Sequence, residues 1–234
     1  MGKIVITGAS SEIGLAITKR MADLGMPMLL QCFRNREILN NWENDAEVVT
    51  ADFSDDDELD IFISRLKDVE ILIYAAARTD SGLIPQIEEE SLKNTIQVNI
   101  TAYTKICQAI IPYMCSRRKG VIIGLSSVSA SRVYKGQGVY AGSKAYMESF
   151  TKAIAAEYGR KGVRGNCVAP GSIEAGALKR LNNYAPEEIK EINALGKLGK
   201  PEDVANLIHF LCTPEASFIN GSVIEISGGH WLGV

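Results

Sequence analysis

Tyr140 and Lys144 stand four residues apart in "GVYAGSKAYMESF", a spacing that puts both side chains on one face of a helix, a turn apart. A phenol with its ordinary pKa of about 10 is a poor proton carrier at neutral pH unless a cation stabilises the phenolate. A lysine ammonium supplies such a cation. The pair alone is a common helix-surface pattern, so its weight comes from its company. Ser126 and Ser127 close the apolar run "GVIIGLS", Asn99 lies inside "TIQVNIT", and a Pro-Gly turn, Pro170-Gly171, opens "APGSIEAGAL".

A second set of residues is suited to holding phosphate. In "VITGASSEIG", Gly8 and Gly14 frame a turn between an apolar run and a helical one. Backbone N–H groups can approach a pyrophosphate there, and the helix N-terminus favours its charge. Glu12 stands where a third glycine is expected. A place in the first helical turn would point its side chain outward, where an acid suits the dipole. The next apolar run ends in "QCFRNRE", with Arg34, then Arg36, and no acid before Glu37. A carboxylate there would accept a ribose 2′-hydroxyl, whereas a guanidinium grips a 2′-phosphate. NADP(H) is the expected cofactor.

These residues need a frame to bring them together. Strands are predicted at 3–7, 28–33, 46–51, 69–75, 120–126, 163–169 and 222–226, and helices at about 13–25, 55–67, 90–116, 138–161 and 201–212. Most strand runs lack polar alternation, as expected of parallel strands covered on both faces. The alternation predicts an α/β fold: a single Rossmann-type, doubly wound domain over 1–234, built on a seven-stranded parallel sheet with helices on both faces. The acidic run "SDDDELD" lacks the glycine and spacing of a calcium loop, and Ser54 with Asp57 reads as a helix cap.

Composition narrows the chemistry further. Five scattered cysteines and two histidines leave a metal site or a Ser-His-Asp triad short of ligands. A net charge of −3 gives no whole-protein basic field for nucleic acid. No run has the length of a membrane span, and Lys3 to Thr7 leads directly into the glycine turn with no signal-peptide layout. Ile6 occupies the position where a myristoylation signal needs Ser or Thr. A soluble, cytoplasmic protein without a metal is expected.

Taken in order, "TGASSEIG", Asp52 in "ADFSD", Asn99, "GLSSVSA", "YAGSK" and "VAPG" resemble the short-chain dehydrogenase/reductase family over essentially the whole chain. The endings "GKLGKPEDVANLIHFL" and "FINGSVIEISGG" are most similar to its 3-oxoacyl-(acyl-carrier-protein) reductases. The resemblance implies a catalytic tetrad of Asn99, Ser127, Tyr140 and Lys144, with Ser127 preferred to Ser126 by its spacing from Tyr140. In it Tyr140 gives a proton to the carbonyl oxygen, Ser127 hydrogen-bonds that oxygen, Lys144 lowers the tyrosine's pKa and Asn99 organises a water. Cofactor contacts are implied for Gly8, Ser10, Ser11, Ile13, Gly14, Arg34, Asp52, Phe53, Ala75, Ala76, Tyr140, Lys144, Pro170, Gly171 and Ile173, with Asp52 at the adenine and Ile173 at the carboxamide. Residues 172–200 are expected to form the substrate lid, with Leu178, Leu181, Ile189, Ile192 and Leu195 among its apolar positions. Arg118 and Lys161 match basic positions of carrier-dependent enzymes, although both also suit helix C-termini. A homotetramer formed through the helices before strands five and six and the last strand is implied as well.

Three positions depart from the family pattern: Glu12, the run Tyr74-Ala75-Ala76-Ala77 in place of Asn-Asn-Ala-Gly, and Ala175 in place of a threonine. The second removes amides expected to brace the sheet. Three functions stay open from the sequence: an NADPH-dependent reductase of 3-ketoacyl thioesters, a dehydrogenase or reductase of a free ketone, sugar or alcohol, and a cofactor-sensing module without chemistry.

Overall fold

The computed structural model describes residues 2–175 and 193–230. The strands are β1 (Lys3–Thr7), β2 (Met28–Cys32), β3 (Ala46–Thr50), β4 (Val69–Tyr74), β5 (Gly120–Leu125), β6 (Val163–Pro170) and β7 (Val223–Ile226). They form one parallel sheet in the order β3-β2-β1-β4-β5-β6-β7. The chain runs outward from β1 to β3, then returns to pair β4 with the other side of β1, Ile6 facing Ile73 and Thr7 facing Tyr74. That reversal opens a crevice at the carboxyl ends of the strands.

The helices are α1 (Glu12–Met21), α2 (Asp56–Ser64), α3 (Glu89–Ile96), α4 (Tyr103–Arg117), α5 (Gly138–Tyr158) and α6 (Pro201–Cys212). Side-chain alternation along β1 assigns the faces. Val5 joins Leu59 and Phe62 of α2, Ile106 and Ile110 of α4, and Met147 and Ile154 of α5. Ile4 and Ile6 join Ile17 and Met21 of α1, and Val204 and Ile208 of α6. Both faces are therefore dry, and each large side chain so buried contributes about 1.5–3 kcal/mol.

Two local features differ from expectation. Asp55, not Ser54, caps α2 by accepting from the Glu58 N–H. Ser54 is drawn back to Asp52, whose Oδ1 accepts from its N–H at 2.9 Å and its hydroxyl at 2.6 Å. The helix expected over 90–116 is interrupted by a π turn, Gln97–Ala102, between α3 and α4. Such turns frequently occur at functional sites, and this one holds Asn99. Among the described residues no helix is long and apolar enough to cross a membrane.

Candidate active site

The glycine loop leaves no room for side chains. Gly8 has φ +66°, and a Cβ on it would lie 2.9 Å from the backbone of Ala75 and Ala76. A Cβ on Gly14 would lie 2.2 Å from the Gly8 carbonyl oxygen. Ser11 caps α1: its Oγ accepts from the Gly14 N–H at 3.0 Å and donates to the Gly8 carbonyl at 2.9 Å. Glu12 is the first residue of α1 and is exposed, as expected. Gln31 braces the loop from β2, its Oε1 accepting from the Gly8 N–H at 2.9 Å and its Nε2 donating to the Ala51 carbonyl at 2.7 Å. Thr7 Oγ1 accepts from the N–H groups of Ala75 and Ala76, each at 3.1 Å. This tight backbone cradle at a helix N-terminus fits a dinucleotide pyrophosphate.

The cradle is one end of a cleft of about 830 Å³. Of the expected contacts, Gly8, Ser10, Ser11, Ile13, Arg34, Asp52, Phe53, Ala75, Ala76, Pro170, Gly171 and Ile173 line it, as do Ser127, Tyr140 and Lys144. Gly14 lies behind the wall, where it permits the turn. At the β2 end Arg34 stacks 4.7 Å over the Phe33 ring, and Ser10 donates to its carbonyl at 2.7 Å. Arg36 is committed elsewhere, to Glu43 at 2.7 Å and the Val48 carbonyl at 3.0 Å. Arg34 forms no salt bridge with a described residue, so its charge is available to a ligand.

At the other end Tyr140 and Lys144 project from α5, with Ser127 just beyond β5. Burial pushes the Tyr140 phenol pKa up, and the neighbouring Ser127 side chain opposes that push. Lys144 is 2% exposed, and its Nζ donates to the Leu125 carbonyl at 2.7 Å. Burial lowers its pKa to about 8. The ammonium lies 5.7 Å from the Tyr140 ring centroid. In this arrangement the ammonium donates to a backbone carbonyl, and burial of the phenol raises its pKa and favours its protonated form.

Ser126 also lines the cleft, but its hydroxyl is committed to Glu148, donating to Oε1 at 2.6 Å. Asn99 is fully buried and sits behind the cleft wall. Its Oδ1 accepts from the Arg78 N–H at 2.8 Å, and its Nδ2 donates to the Arg78 carbonyl and to Ser143 Oγ, each at 2.9 Å. Ser143 in turn donates to the Tyr140 carbonyl at 2.7 Å. Asn99 thus ties the segment after β4 to α5.

Amides missing from the run after β4 are replaced by other groups: Thr7 serves the Ala75 and Ala76 N–H groups, and the buried Tyr74 hydroxyl donates to the Val98 carbonyl in the π turn. The bracing here therefore comes from Thr7 and Tyr74 rather than from side-chain amides. The positioning residues Thr7, Gln31, Ser143 and Glu148 were missed by sequence reasoning; only the polarity of Gln31 inside an apolar strand gave a signal.

The expected lid is described only at its ends. Ile173 pairs with Gly199, and Glu174 N–H donates to the Gly199 carbonyl at 2.7 Å, so the two ends meet at the base of the cleft. Ala175 also lines the cleft. Leu178, Leu181, Ile189 and Ile192 lie outside the described residues, whereas Leu195 is exposed. Arg118 and Lys161 are not brought to the cleft. They lie just before β5 and β6, at the amino edge of the sheet, where Arg118 Nη2 donates to the Arg160 carbonyl at 3.1 Å.

Residues 8–230 match the family model described as enoyl-(acyl carrier protein) reductase. The chain is 33% identical to the 3-oxoacyl-[acyl-carrier-protein] reductase FabG of Thermotoga maritima, over 97% of each chain. It is 30% identical to the enzyme of that name from Vibrio cholerae, over 99% of this chain and 98% of the other. Among solved structures, 4-hydroxyisoleucine dehydrogenase complexed with NADH superposes with a TM-score of 0.93 at 25% identity, covering all of both chains.

Proposed function

Because the chain belongs to the short-chain dehydrogenase/reductase family, and is therefore an oxidoreductase, we propose that it is an NADPH-dependent reductase of 3-ketoacyl thioesters carried on an acyl carrier protein. The observation that carries this reading is one cleft with Arg34 at one end and Ser127, Tyr140 and Lys144 at the other. The curated relatives named as 3-oxoacyl-[acyl-carrier-protein] reductases support the substrate class.

In this reading the glycine cradle holds the pyrophosphate, Arg34 takes the 2′-phosphate and Asp52 lies toward the adenine. When bound, the nicotinamide supplies the hydride that the ketone carbon receives. Tyr140 holds its proton on the phenol oxygen and releases it to the carbonyl oxygen as that oxygen gains charge. A pKa raised by burial keeps this donor protonated at neutral pH. Ser127 donates to the same oxygen, stabilising charge that develops only in the transition state. Lys144, freed from Leu125, would reach the ribose and steady the phenolate that remains.

In this reading the protein acts in the cytoplasm as a homotetramer, and Arg118 and Lys161 of a neighbouring copy would meet the acidic carrier. Reduction of a free ketone is the second reading, favoured by the full-length superposition on 4-hydroxyisoleucine dehydrogenase. Loss of NADPH absorbance with a 3-oxobutyryl thioester, with NADH and Tyr140→Phe run alongside, separates them. Turnover with NADPH, weaker with NADH and reduced at least about 1,000-fold in the variant, supports the proposal. Binding of NADPH without thioester turnover overturns it.

A further inference from the structure

Beside the cofactor cleft lies a second cavity of about 690 Å³. Arg78 and Thr79 line both, so they stand where the two cavities adjoin. Val139, next to Tyr140 in the chain, lines the second cavity, so the cavity adjoins the turn of α5 that carries the proton donor. Its remaining walls carry hydroxyls and amides, among them Ser81, Gln86, Ser91 and Asn94. Glu88 and Glu90 lie at its exposed margin and disfavour an anion there. Such a lining matches an uncharged, hydrogen-bonding chain better than a hydrocarbon tail.

Arg78 is the residue best fixed at this junction. Asn99 holds its backbone from both sides, at 2.8 Å and 2.9 Å, and so ties its position to α5 through Ser143. Its guanidinium Nη2 meets Asp80 at 3.1 Å, and Ser91 donates to the same carboxylate oxygen at 3.2 Å. Its Nε–H is buried and has no hydrogen-bond partner among the described residues. An unsatisfied buried donor is costly, and the Asp80 pair leaves this one unmet. A substrate oxygen would meet it.

We propose that the second cavity binds the uncharged, amide-bearing arm of a thioester substrate, with Arg78 at its mouth donating to the thioester carbonyl oxygen. In a 3-ketoacyl thioester that oxygen is two carbons from the ketone, so a ketone held by Tyr140 and Ser127 sets it toward the junction. The inference rests on the thioester reading above. A guanidinium bonded to this oxygen orients the ketone and distinguishes 3-ketoacyl compounds from simple ketones.

The test measures kcat and KM of the wild type and Arg78→Met with three substrates: 3-oxobutyryl-N-acetylcysteamine, the S-ethyl thioester of the same acid, and a plain methyl ketone. Arg78→Met is expected to raise KM for both thioesters about 10- to 100-fold more than KM for the plain ketone. In the wild type the amide-bearing thioester is expected to have the higher kcat/KM of the two. Equal values for the two thioesters overturn the arm subsite, and an unchanged thioester KM in Arg78→Met overturns the role of Arg78. Should the wild type reduce the plain ketone and neither thioester, the thioester reading itself fails. The comparison then moves to 3-oxobutanoate, whose carboxylate stands where the thioester carbonyl stood. Loss of its turnover in Arg78→Met keeps Arg78 as a binder of that oxygen, and no loss removes it.

Discussion

Two side chains on one face of α5 grip the end of β5. Lys144 Nζ takes the Leu125 carbonyl at 2.7 Å, and Glu148, a turn later, accepts from the Ser126 hydroxyl at 2.6 Å. The residue that follows is Ser127, so both grips set its distance from Tyr140. Glu148→Leu and Ser126→Ala are each expected to lower kcat about 10- to 100-fold, since small misplacements near the chemistry are costly. The double variant should be no worse than either single one, and Glu148→Gln should keep most of the activity. Additive losses in the cycle would show that the contact does not position the site. Lys144 makes a separate prediction about stability. Its pKa is about 8 in the fold against an ordinary 10.5, so between those values the unfolded chain binds the extra proton. Below pH 8 the burial penalty is present in full, and stability attributable to this group rises as pH climbs toward 10.5. Relative to Lys144→Met, the wild type should gain about 2–3 kcal/mol between pH 7 and pH 10.5, read from urea unfolding. A flat difference would place the ammonium in a better-solvated setting than the structure gives it.

Elements were legible in the sequence to the extent that their signals were local. The apolar runs of the strands and the bounds of α6 were readable, and α6 spans Pro201–Cys212 as expected. The π turn was not, because one added residue per turn leaves the apolar spacing of 90–116 looking like a continuous helix. Ser126 with Glu148, and Tyr74 with the Val98 carbonyl, join partners 22 and 24 positions apart, and no spacing rule announces such pairs. Gln31 is the intermediate case. A polar residue 2% exposed within β2 must find partners, yet only the fold shows that they are the Gly8 N–H and the Ala51 carbonyl. Gln31→Leu orphans both, which should cost about 2–4 kcal/mol of stability and weaken NADPH binding by loosening the cradle. Urea unfolding and a fluorescence titration with NADPH measure the two effects. A stability loss with unchanged NADPH affinity would show that the loop keeps its shape without this brace.

At the scale of the molecule, topology decides which distant motifs meet. Parallel strands put every strand-to-helix turn at one edge of the sheet, so the glycine loop, Arg34, Ser127 and the Pro-Gly turn converge although they are spread from residue 8 to residue 171. The same rule sends Arg118 and Lys161, which follow helices, to the opposite edge. For them to serve a carrier protein at a cleft, the cleft must belong to another copy. The outer face of α4 and α5 offers a place for that copy: a groove of about 440 Å³ lined by Ile111, Pro112, Phe150, Ala153 and Tyr158, with Lys161 also on its wall. These are the helices through which the family resemblance expects a tetramer. Ala153 is exposed, so Ala153→Arg leaves the core intact while placing a charge against any apolar partner. Light scattering should find a tetramer for the wild type and a smaller species for Ala153→Arg. Carrier-bound substrate turnover should then fall while a short thioester is still reduced, since the cleft lies within one chain and in the proposed tetramer the basic residues beside it belong to another. An unchanged mass would exclude this face as the interface. An equal loss for both substrates would tie the smaller species to a damaged cleft rather than to a missing carrier contact.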